Sequence, residues 1–185
     1  MEKSKPAICV FCGSSFGTDP AFRGAARAIG AGIAKMGFCL VVGGGNPGLM
    51  GDVARAAREA GTAVEGILPG FLRDVEPPLT HGETTEIVPD LFERKQKMMD
   101  RAAGFIVLPG GLGTYDEFFE VLTSAQLGVQ VKPILLVNVN GYFDPLEAML
   151  QASVKAGFVR QENLGLYRIA PGAETALAMM AKALA

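Results

Sequence analysis

The chain has 185 residues, of which 49% are hydrophobic and 19% are charged. This length and hydrophobicity are typical of one folded domain with its own core, and they exclude an intrinsically disordered chain. The 17 lysines and arginines against 19 aspartates and glutamates give a net charge of −2. That balance excludes nucleic-acid binding through bulk positive charge.

Targeting and redox signals point to one compartment. Residues 1–6 are polar and precede only a short apolar run, so they lack the pattern of a signal peptide, and no stretch reaches the ~18 apolar residues of a membrane helix. Three cysteines do not suggest a disulfide framework. Cys9 and Cys12 form a C-x-x-C pattern, but in a strand their side chains would point to opposite faces, which favours core packing over a redox or zinc site. We expect a reduced, cytoplasmic protein without membrane contact.

Short apolar runs alternate with helix-like segments, the pattern of βαβ units and a parallel sheet. The first strand is expected at residues 7–12, and Asp19 followed by Pro20 marks a helix that ends at Gly37. Further strands are predicted at 38–42, 63–68, 83–88, 105–108, 133–138 and 167–170. Further helices are predicted at 49–60, 90–103, 114–126, 144–157 and 173–184, with a loop at 69–82. The sequence therefore predicts a single Rossmann-like, doubly wound α/β domain over residues 1–185, with a mainly parallel sheet flanked by helices.

Three turns that follow predicted strands are rich in glycine or small hydroxyl residues: 13–15, 43–48 and 110–114. In doubly wound sheets, ligands bind outside the carboxyl ends of the strands. Such turns present bare backbone N–H groups, and the last two open into helix N-termini, which favours a phosphate. We expect an anionic, nucleotide-like ligand at this edge.

The second turn also matches the G-x-G-x-x-G spacing through Gly43, Gly45 and Gly48. A dinucleotide site would add an acidic residue about 20 positions on, at the end of the next strand. The only acidic residue of that strand, Glu65, is predicted to lie in its middle. The pattern is therefore a weak indication of NAD binding, and no Walker A motif suggests an ATPase.

The charged residues Glu117, Arg94 and Lys95 each have two interpretations. Thr114 and Glu117 have the spacing of a capping box, which local sequence favours, but a carboxylate beside a phosphate loop could also serve the anomeric carbon of a sugar. Arg94 and Lys95 could form a solvated face or direct cations at a phosphate or ribose, and local sequence does not decide between these. His81 is the single histidine, so a catalytic triad or a histidine-based metal site is not expected.

The motifs together resemble a known family. Residues 109–117 read PGGLGTYDE and fit the signature PGGxGTxxE, residues 43–51 fit GGGxxGLMG, and residues 93–95 read ERK. Across nearly its whole length the chain resembles the LONELY GUY (LOG) family of cytokinin riboside 5′-monophosphate phosphoribohydrolases, long labelled lysine decarboxylases. Residues 91–92 read Leu-Phe where the family often has Met-His, a difference that bears on the base or prenyl pocket.

The resemblance implies hydrolysis of the N-glycosidic bond of AMP-like nucleotides to free base and ribose 5-phosphate, with no cofactor. It implies that Arg94 and Glu117 are the catalytic pair. It also implies a homodimer, which we expect to form through the helices after Asp90 and Thr114. The candidate nucleotide-binding residues, from the resemblance and the three turns together, are Gly13, Ser14, Gly44, Gly45, Glu76, Lys95, Pro109, Gly110, Gly111, Leu112, Gly113, Thr114 and Thr123.

The chemistry is consistent with these roles. Cleavage builds oxocarbenium character on the ribose, which the Glu117 carboxylate can stabilise while it orients water. Arg94 stays protonated, so its role is orientation rather than acid catalysis, and attack on a cationic centre needs no metal. Nothing around Lys95 or Lys132 signals the Schiff-base site of a pyridoxal-phosphate decarboxylase. The alternative is a nucleotide-sensing or cofactor-carrying protein on the same fold without turnover, which would not need the Arg94 and Glu117 pair.

Overall fold

The structure is a computed structural model that describes residues 5–74, 77–79 and 84–185. Within these residues, seven strands form one sheet in which every neighbouring pair is parallel. The strands are β1 (Ala7–Phe11), β2 (Cys39–Val42), β3 (Val64–Pro69), β4 (Thr84–Val88), β5 (Ala102–Val107), β6 (Ile134–Val137) and β7 (Arg168–Ala170). The helices are α1 (Pro20–Lys35), α2 (Gly48–Glu59), α3 (Leu91–Arg101), α4 (Leu112–Gln126), α5 (Asp144–Lys155) and α6 (Ala173–Leu184).

The core consists of two apolar layers on either face of the sheet. Helices α1, α2 and α6 pack on one face and α3, α4 and α5 on the other. Alternate residues of β1 enter the two layers, with Val10 in the first and Phe11 in the second. Cys9 lies in the second layer and Cys12 packs against the first, so the predicted opposite orientation of the two cysteines is confirmed. The predicted doubly wound α/β fold is confirmed.

The strand order β4-β3-β2-β1-β5-β6-β7 places a switch point between β1 and β5. The chain builds outward from β1 through β2 and β3 to β4, then crosses to β5 on the other side of β1. Crossovers that leave in opposite directions open a crevice at the carboxyl ends of the two central strands. The turns after β1 and β5 therefore meet at one place in the fold.

The predicted boundary between α3 and β5 was wrong. Helix α3 was expected to continue to about residue 103 and end at Gly104, but it ends at Arg101 and β5 begins at once with Ala102. Gly104 lies inside β5, where an added Cβ would come within 2.7 Å of the Met180 sulfur. This glycine therefore permits close packing against α6 rather than ending a helix. None of the described helices is long and apolar enough to cross a membrane.

Candidate active site

A cleft of about 280 Å³ opens at the switch point between β1 and β5. Its walls come from the turn after β1, the start of the turn after β2, the first turns of α3, and the N-terminus of α4. The side chains of Arg94, Lys95 and Glu117 all reach it. The topology thus brings together groups that are far apart in the sequence.

The backbone of Gly13 joins the central elements around the cleft. Its N–H donates to the Pro109 carbonyl at 3.0 Å, and its own carbonyl accepts from the N–H of Leu49 at 3.0 Å. These bonds connect the ends of β1 and β5 with the first turn of α2. At Gly48, φ is +66° and an added Cβ would lie 2.3 Å from the Ser14 carbonyl carbon, so only glycine fits this approach.

Residues 109–114, here called the glycine loop, lead from β5 into α4. A Cβ on Gly110 would lie 2.1 Å from Thr114 Oγ1 and 2.7 Å from the Gly13 nitrogen, so Gly110 is wedged between neighbours. Gly111 and Gly113 instead face open space, with no atom within 4 Å of an added Cβ. The first N–H groups of a helix have no partner within it and carry partial positive charge. The N-terminus of α4 therefore offers unpaired donors along one wall of the cleft.

Arg94 and Glu117 form a buried ion pair in the cleft wall. Arg94 Nη2 donates to Glu117 Oε1, and the two side chains are only 12% and 6% exposed. Burial raises the pKa of Glu117 more than the nearby Arg94 lowers it. The Nε of Arg94 is buried and has no hydrogen-bond partner among the described residues.

Lys95 lies at the rim of the same cleft. Its Nζ contacts Asp116 at 3.1 Å and Glu120 at 3.0 Å, and it lies 5.6 Å from the centre of the Phe92 ring. Burial opposes the charge, but the hydrogen bonds to Glu120 and Asp116 outweigh it and raise the pKa of Lys95. Lys95 is thus a protonated cation that two carboxylates already hold in place.

The capping-box interpretation of Thr114 and Glu117 was wrong. Helix α4 begins at Leu112 with Gly111 as its N-cap, so Thr114 is the third helical residue rather than the cap. Glu117 lies one turn further in and bonds Arg94, which is 23 residues away in the sequence. A local pattern could not reveal this partner, because only the fold brings α3 beside α4.

Several predicted binding residues do not line the cleft directly. Gly44 packs behind it, where an added Cβ would lie 2.9 Å from the Leu68 Cβ, and Gly45 forms a bridge with Pro78; their neighbour Gly43 occupies the cleft wall. Thr123 is exposed near the end of α4, beyond the cleft lining.

The other predicted residues fall into three groups. Pro109 and Gly110 support the loop from behind, whereas the other four residues of the glycine loop, together with Gly13 and Ser14, line the cleft. Glu76 and His81 lie outside the described residues.

The cleft also contains residues that the sequence did not single out for binding. Met50 and Leu72 contribute carbon side chains, and Asp116 adds a carboxylate at the rim. Leu91, which the resemblance already related to the base or prenyl pocket, also lines the cleft. Met50 and Asp116 lie inside the recognised motifs, so their neighbourhood was a usable signal. Leu72 follows β3 in the region predicted as loop, where no local pattern marks it.

Comparison with known proteins assigns the family. A family model described as "Possible lysine decarboxylase" matches residues 50–180. The cytokinin riboside 5′-monophosphate phosphoribohydrolase LOG3 of Arabidopsis thaliana is 44% identical over 163 residues, covering 86% of this chain and 74% of the relative. The chain belongs to the LOG family. LOG7 of the same plant is 40% identical over 180 residues, covering 94% of this chain and 82% of the relative.

Solved structures show how widely this LOG-family fold is shared. The molybdenum cofactor binding protein of Rippkaea orientalis superposes with a TM-score of 0.76 at 22% identity, covering 100% of both chains. The molybdenum cofactor carrier protein of Chlamydomonas reinhardtii gives a TM-score of 0.72 at 23% identity, covering 97% of this chain and 98% of the other. At such identities the likeness concerns the fold alone.

The two lysines considered for a Schiff-base site do not fit the decarboxylase description in the family model. A pyridoxal-phosphate enzyme needs a lysine amine free to form a Schiff base. Lys95 is held as a cation by two carboxylates, and Lys132 Nζ donates to the Met99 carbonyl at 2.7 Å just before β6, at the sheet edge opposite the cleft. Among the described residues, no group of three histidine, cysteine, aspartate or glutamate side chains could hold a metal ion.

Proposed function

We propose that this protein hydrolyses the N-glycosidic bond of AMP-like nucleoside 5′-monophosphates, including N6-prenylated cytokinin precursors, to free base and ribose 5-phosphate. The observation that carries the proposal is the buried pair of Arg94 and Glu117 beside the glycine loop. The relatives named as phosphoribohydrolases, at 38–44% identity over most of the chain, support the reaction class.

The 5′-phosphate would bind at the N-terminus of α4. Backbone N–H groups from Gly111 to Thr114 lack helical partners, and the helix dipole favours an anion there. Since Gly111 and Gly113 carry no side chain, phosphate oxygens can approach the backbone closely. A phosphate held there would bring the ribose toward the ion pair, because Glu117 lies in the second turn of the same helix.

Glu117 would act on the anomeric carbon. As the C1′–N9 bond breaks, positive charge grows on the ribose ring, and a buried carboxylate stabilises that charge more strongly than one in water would. The same carboxylate can accept a proton from the attacking water, and its raised pKa brings it closer to the range of an effective general base. The water oxygen bonds to C1′ and the base leaves with the electrons of the C1′–N9 bond. The departing base takes up a proton from solvent, and Glu117 returns the proton it accepted from water to solvent, which regenerates the carboxylate.

Arg94 would hold Glu117 and the substrate at once. Its guanidinium uses Nη2 on Glu117 and carries further N–H donors that could serve ribose or phosphate oxygens. Because the arginine remains charged, it also limits the rise in the Glu117 pKa.

The base would lie against the carbon side chains of the cleft. Leu72, Leu91 and Leu112 line it together with Met50. Leucine and methionine side chains contact a flat purine and accommodate an apolar N6 substituent without supplying a specific hydrogen bond. This lining supports N6-prenylated nucleotides as substrates beside AMP.

We further propose a homodimer formed through α3 and α4. Phe92 in the first turn of α3 is 78% exposed, and Leu112 at the start of α4 is 88% exposed. Large apolar side chains in such positions are typical of subunit contacts. Light scattering at micromolar concentration should give twice the chain mass, whereas the mass of one chain would contradict the dimer.

The activity test is chromatography of products after incubation of the purified protein with AMP, isopentenyl-AMP and, as a matched substrate without the phosphate anchor, adenosine. We expect free base from both monophosphates and at least ~100-fold less from adenosine, since the phosphate binding energy is lost. Equal rates for AMP and adenosine would contradict phosphate anchoring. If AMP binds and no base appears from either monophosphate, the protein is a nucleotide sensor or carrier instead.

A further inference from the structure

Tyr142 lies behind the glycine loop, on the side away from the cleft. It follows the short turn Val139–Gly141 after β6, and its ring packs edge-on against Phe22 and Phe143, with ring centres 5.5 Å and 5.0 Å away. It does not line the cleft, and neither the sequence motifs nor the proposed reaction uses it. The two ring contacts fix the position from which its hydroxyl acts.

The Tyr142 hydroxyl donates a hydrogen bond to the carbonyl of Gly110. The hydroxyl of Tyr115, in the first turns of α4, donates in turn to Tyr142 Oη at 3.3 Å. Hydrogen bonds in such a series polarise one another and strengthen the last acceptor contact. Burial raises the pKa of Tyr115 to about 12, so its hydroxyl remains a donor at neutral pH.

The Gly110 carbonyl shares a peptide plane with the N–H of Gly111. No described peptide bond is cis, and in a trans peptide the C=O and N–H bonds point in opposite directions. A carbonyl that is held toward Tyr142 therefore directs the Gly111 N–H away from Tyr142. Gly111 borders the cleft on one side and a second pocket that it shares with Tyr142 on the other, so an N–H that points away from Tyr142 faces the cleft, where the phosphate would bind.

The peptide between Gly110 and Gly111 needs a contact from outside the loop to fix its orientation. It is flanked by two glycines, which have more backbone freedom than any other residue, so a rotation of the plane would be easy in an isolated loop. Gly110 Cα is fixed between Gly13 and Thr114, but that contact does not set the direction of the carbonyl. Among the described side chains, the Tyr142 hydroxyl is the one that bonds this oxygen.

We propose that Tyr142 is a positioning residue that aims the Gly111 N–H at the 5′-phosphate, an inference that rests on the proposed phosphate site in the glycine loop. Tyr142 does not touch the substrate. It acts through one peptide plane, and Tyr115 supports it. The ligand class that this donor serves is a ribose 5-phosphate or an equivalent phosphate monoester.

The test compares Tyr142→Phe with Tyr167→Phe. Each removes one phenol hydroxyl and keeps the ring, but Tyr167 Oη contacts Glu147 of α5 at 2.5 Å instead of the glycine loop. The measurement is calorimetric binding of ribose 5-phosphate, with the thermal midpoint recorded for each variant. We expect Tyr142→Phe to weaken binding by about 3- to 10-fold, the range for one lost hydrogen bond, and Tyr167→Phe to leave it within twofold. Tyr115→Phe should give a smaller loss than Tyr142→Phe.

The outcomes separate this inference from the proposed reaction. Unchanged binding in a folded Tyr142→Phe protein, or an equal loss in Tyr167→Phe, would overturn the positioning role even if the wild type releases base. If the wild type binds ribose 5-phosphate and releases no base, a selective loss in Tyr142→Phe still supports the positioning role while the hydrolase fails. If Tyr142→Phe does not fold, Tyr115→Phe carries the test, and binding equal to wild type would contradict the proposal.

Discussion

Substitution of Gly110 by alanine tests how the glycine loop is held. The new methyl group would lie 2.1 Å from Thr114 Oγ1 and 2.7 Å from the Gly13 nitrogen, whereas Cβ contacts in proteins stay beyond 3.0 Å. The loop and α4 must therefore separate from β1 by about 1 Å, because close-packed neighbours leave no room. Overpacking of this kind costs about 1–3 kcal/mol of the free energy of unfolding.

The substitution should lower both the thermal midpoint and the reaction rate. For a chain of this size, 1 kcal/mol shifts the thermal midpoint by about 2–4 °C, so Gly110→Ala should unfold roughly 2–12 °C below the wild type. A displacement of about 1 Å in a group that positions substrate can lower the rate about 100-fold. We expect both effects together, since the same methyl group displaces the phosphate anchor and strains the fold.

Gly113→Ala is the matched control. Gly113 lies three residues further along in the first turn of α4, and an added Cβ meets nothing within 4 Å. Alanine is a better helix former than glycine, so this variant should be as stable as the wild type or gain up to ~1 kcal/mol. The assay is thermal unfolding of both variants under one buffer condition. A Gly110→Ala midpoint equal to that of Gly113→Ala would refute the wedged loop.

Two further predictions concern stability. Burial raises the pKa of Glu117, so the folded protein binds the carboxyl proton more tightly than the unfolded chain does. The stability of the wild type relative to Glu117→Gln should therefore fall as pH rises from about 4.3, the unfolded pKa, through the pKa in the folded protein. A difference between the two thermal midpoints that stays constant from pH 4 to 8 would contradict this. In α1, a Cβ on Gly30 would lie 2.2 Å from the Val53 carbonyl of α2, whereas one on Gly24 meets nothing within 4 Å. Gly30→Ala should therefore lose about 1–3 kcal/mol in denaturant unfolding and Gly24→Ala should gain up to ~1 kcal/mol, and equal stabilities would rule out the close helix crossing.

The sequence predicted most of the fold because the signals for its elements are local. The alternation of short apolar runs with capped helices indicated the parallel sheet, and Asp19 caps α1 as expected, since its side chain accepts from the Ala21 N–H. The boundary between α3 and β5 was wrong because Gly104 is required for packing against Met180, a contact between distant segments. A glycine that ends a helix and one that admits a neighbour look the same in a sequence.

In the candidate site, too, features with a local sequence signal could be predicted and contacts between distant segments could not. The glycine loop could be predicted from its motif, but the motif does not tell which glycine is wedged and which faces the cleft. Local sequence favoured a capping role for Glu117, and only the resemblance suggested its partnership with Arg94. Tyr142 had no signal at all, because its contact with Gly110 spans 32 residues and depends on the strand order.

The most direct test of the proposed hydrolase is the initial rate of base release from AMP by the wild type, Glu117→Gln and Glu65→Gln. Glu65 is a control carboxylate in β3 that pairs with Arg101 and lies outside the cleft. We expect Glu117→Gln to lose at least ~100-fold in rate while its thermal unfolding shows a folded protein, and Glu65→Gln to keep the wild-type rate. A folded Glu117→Gln protein that releases base as fast as the wild type would contradict the assignment of Glu117 to the chemistry.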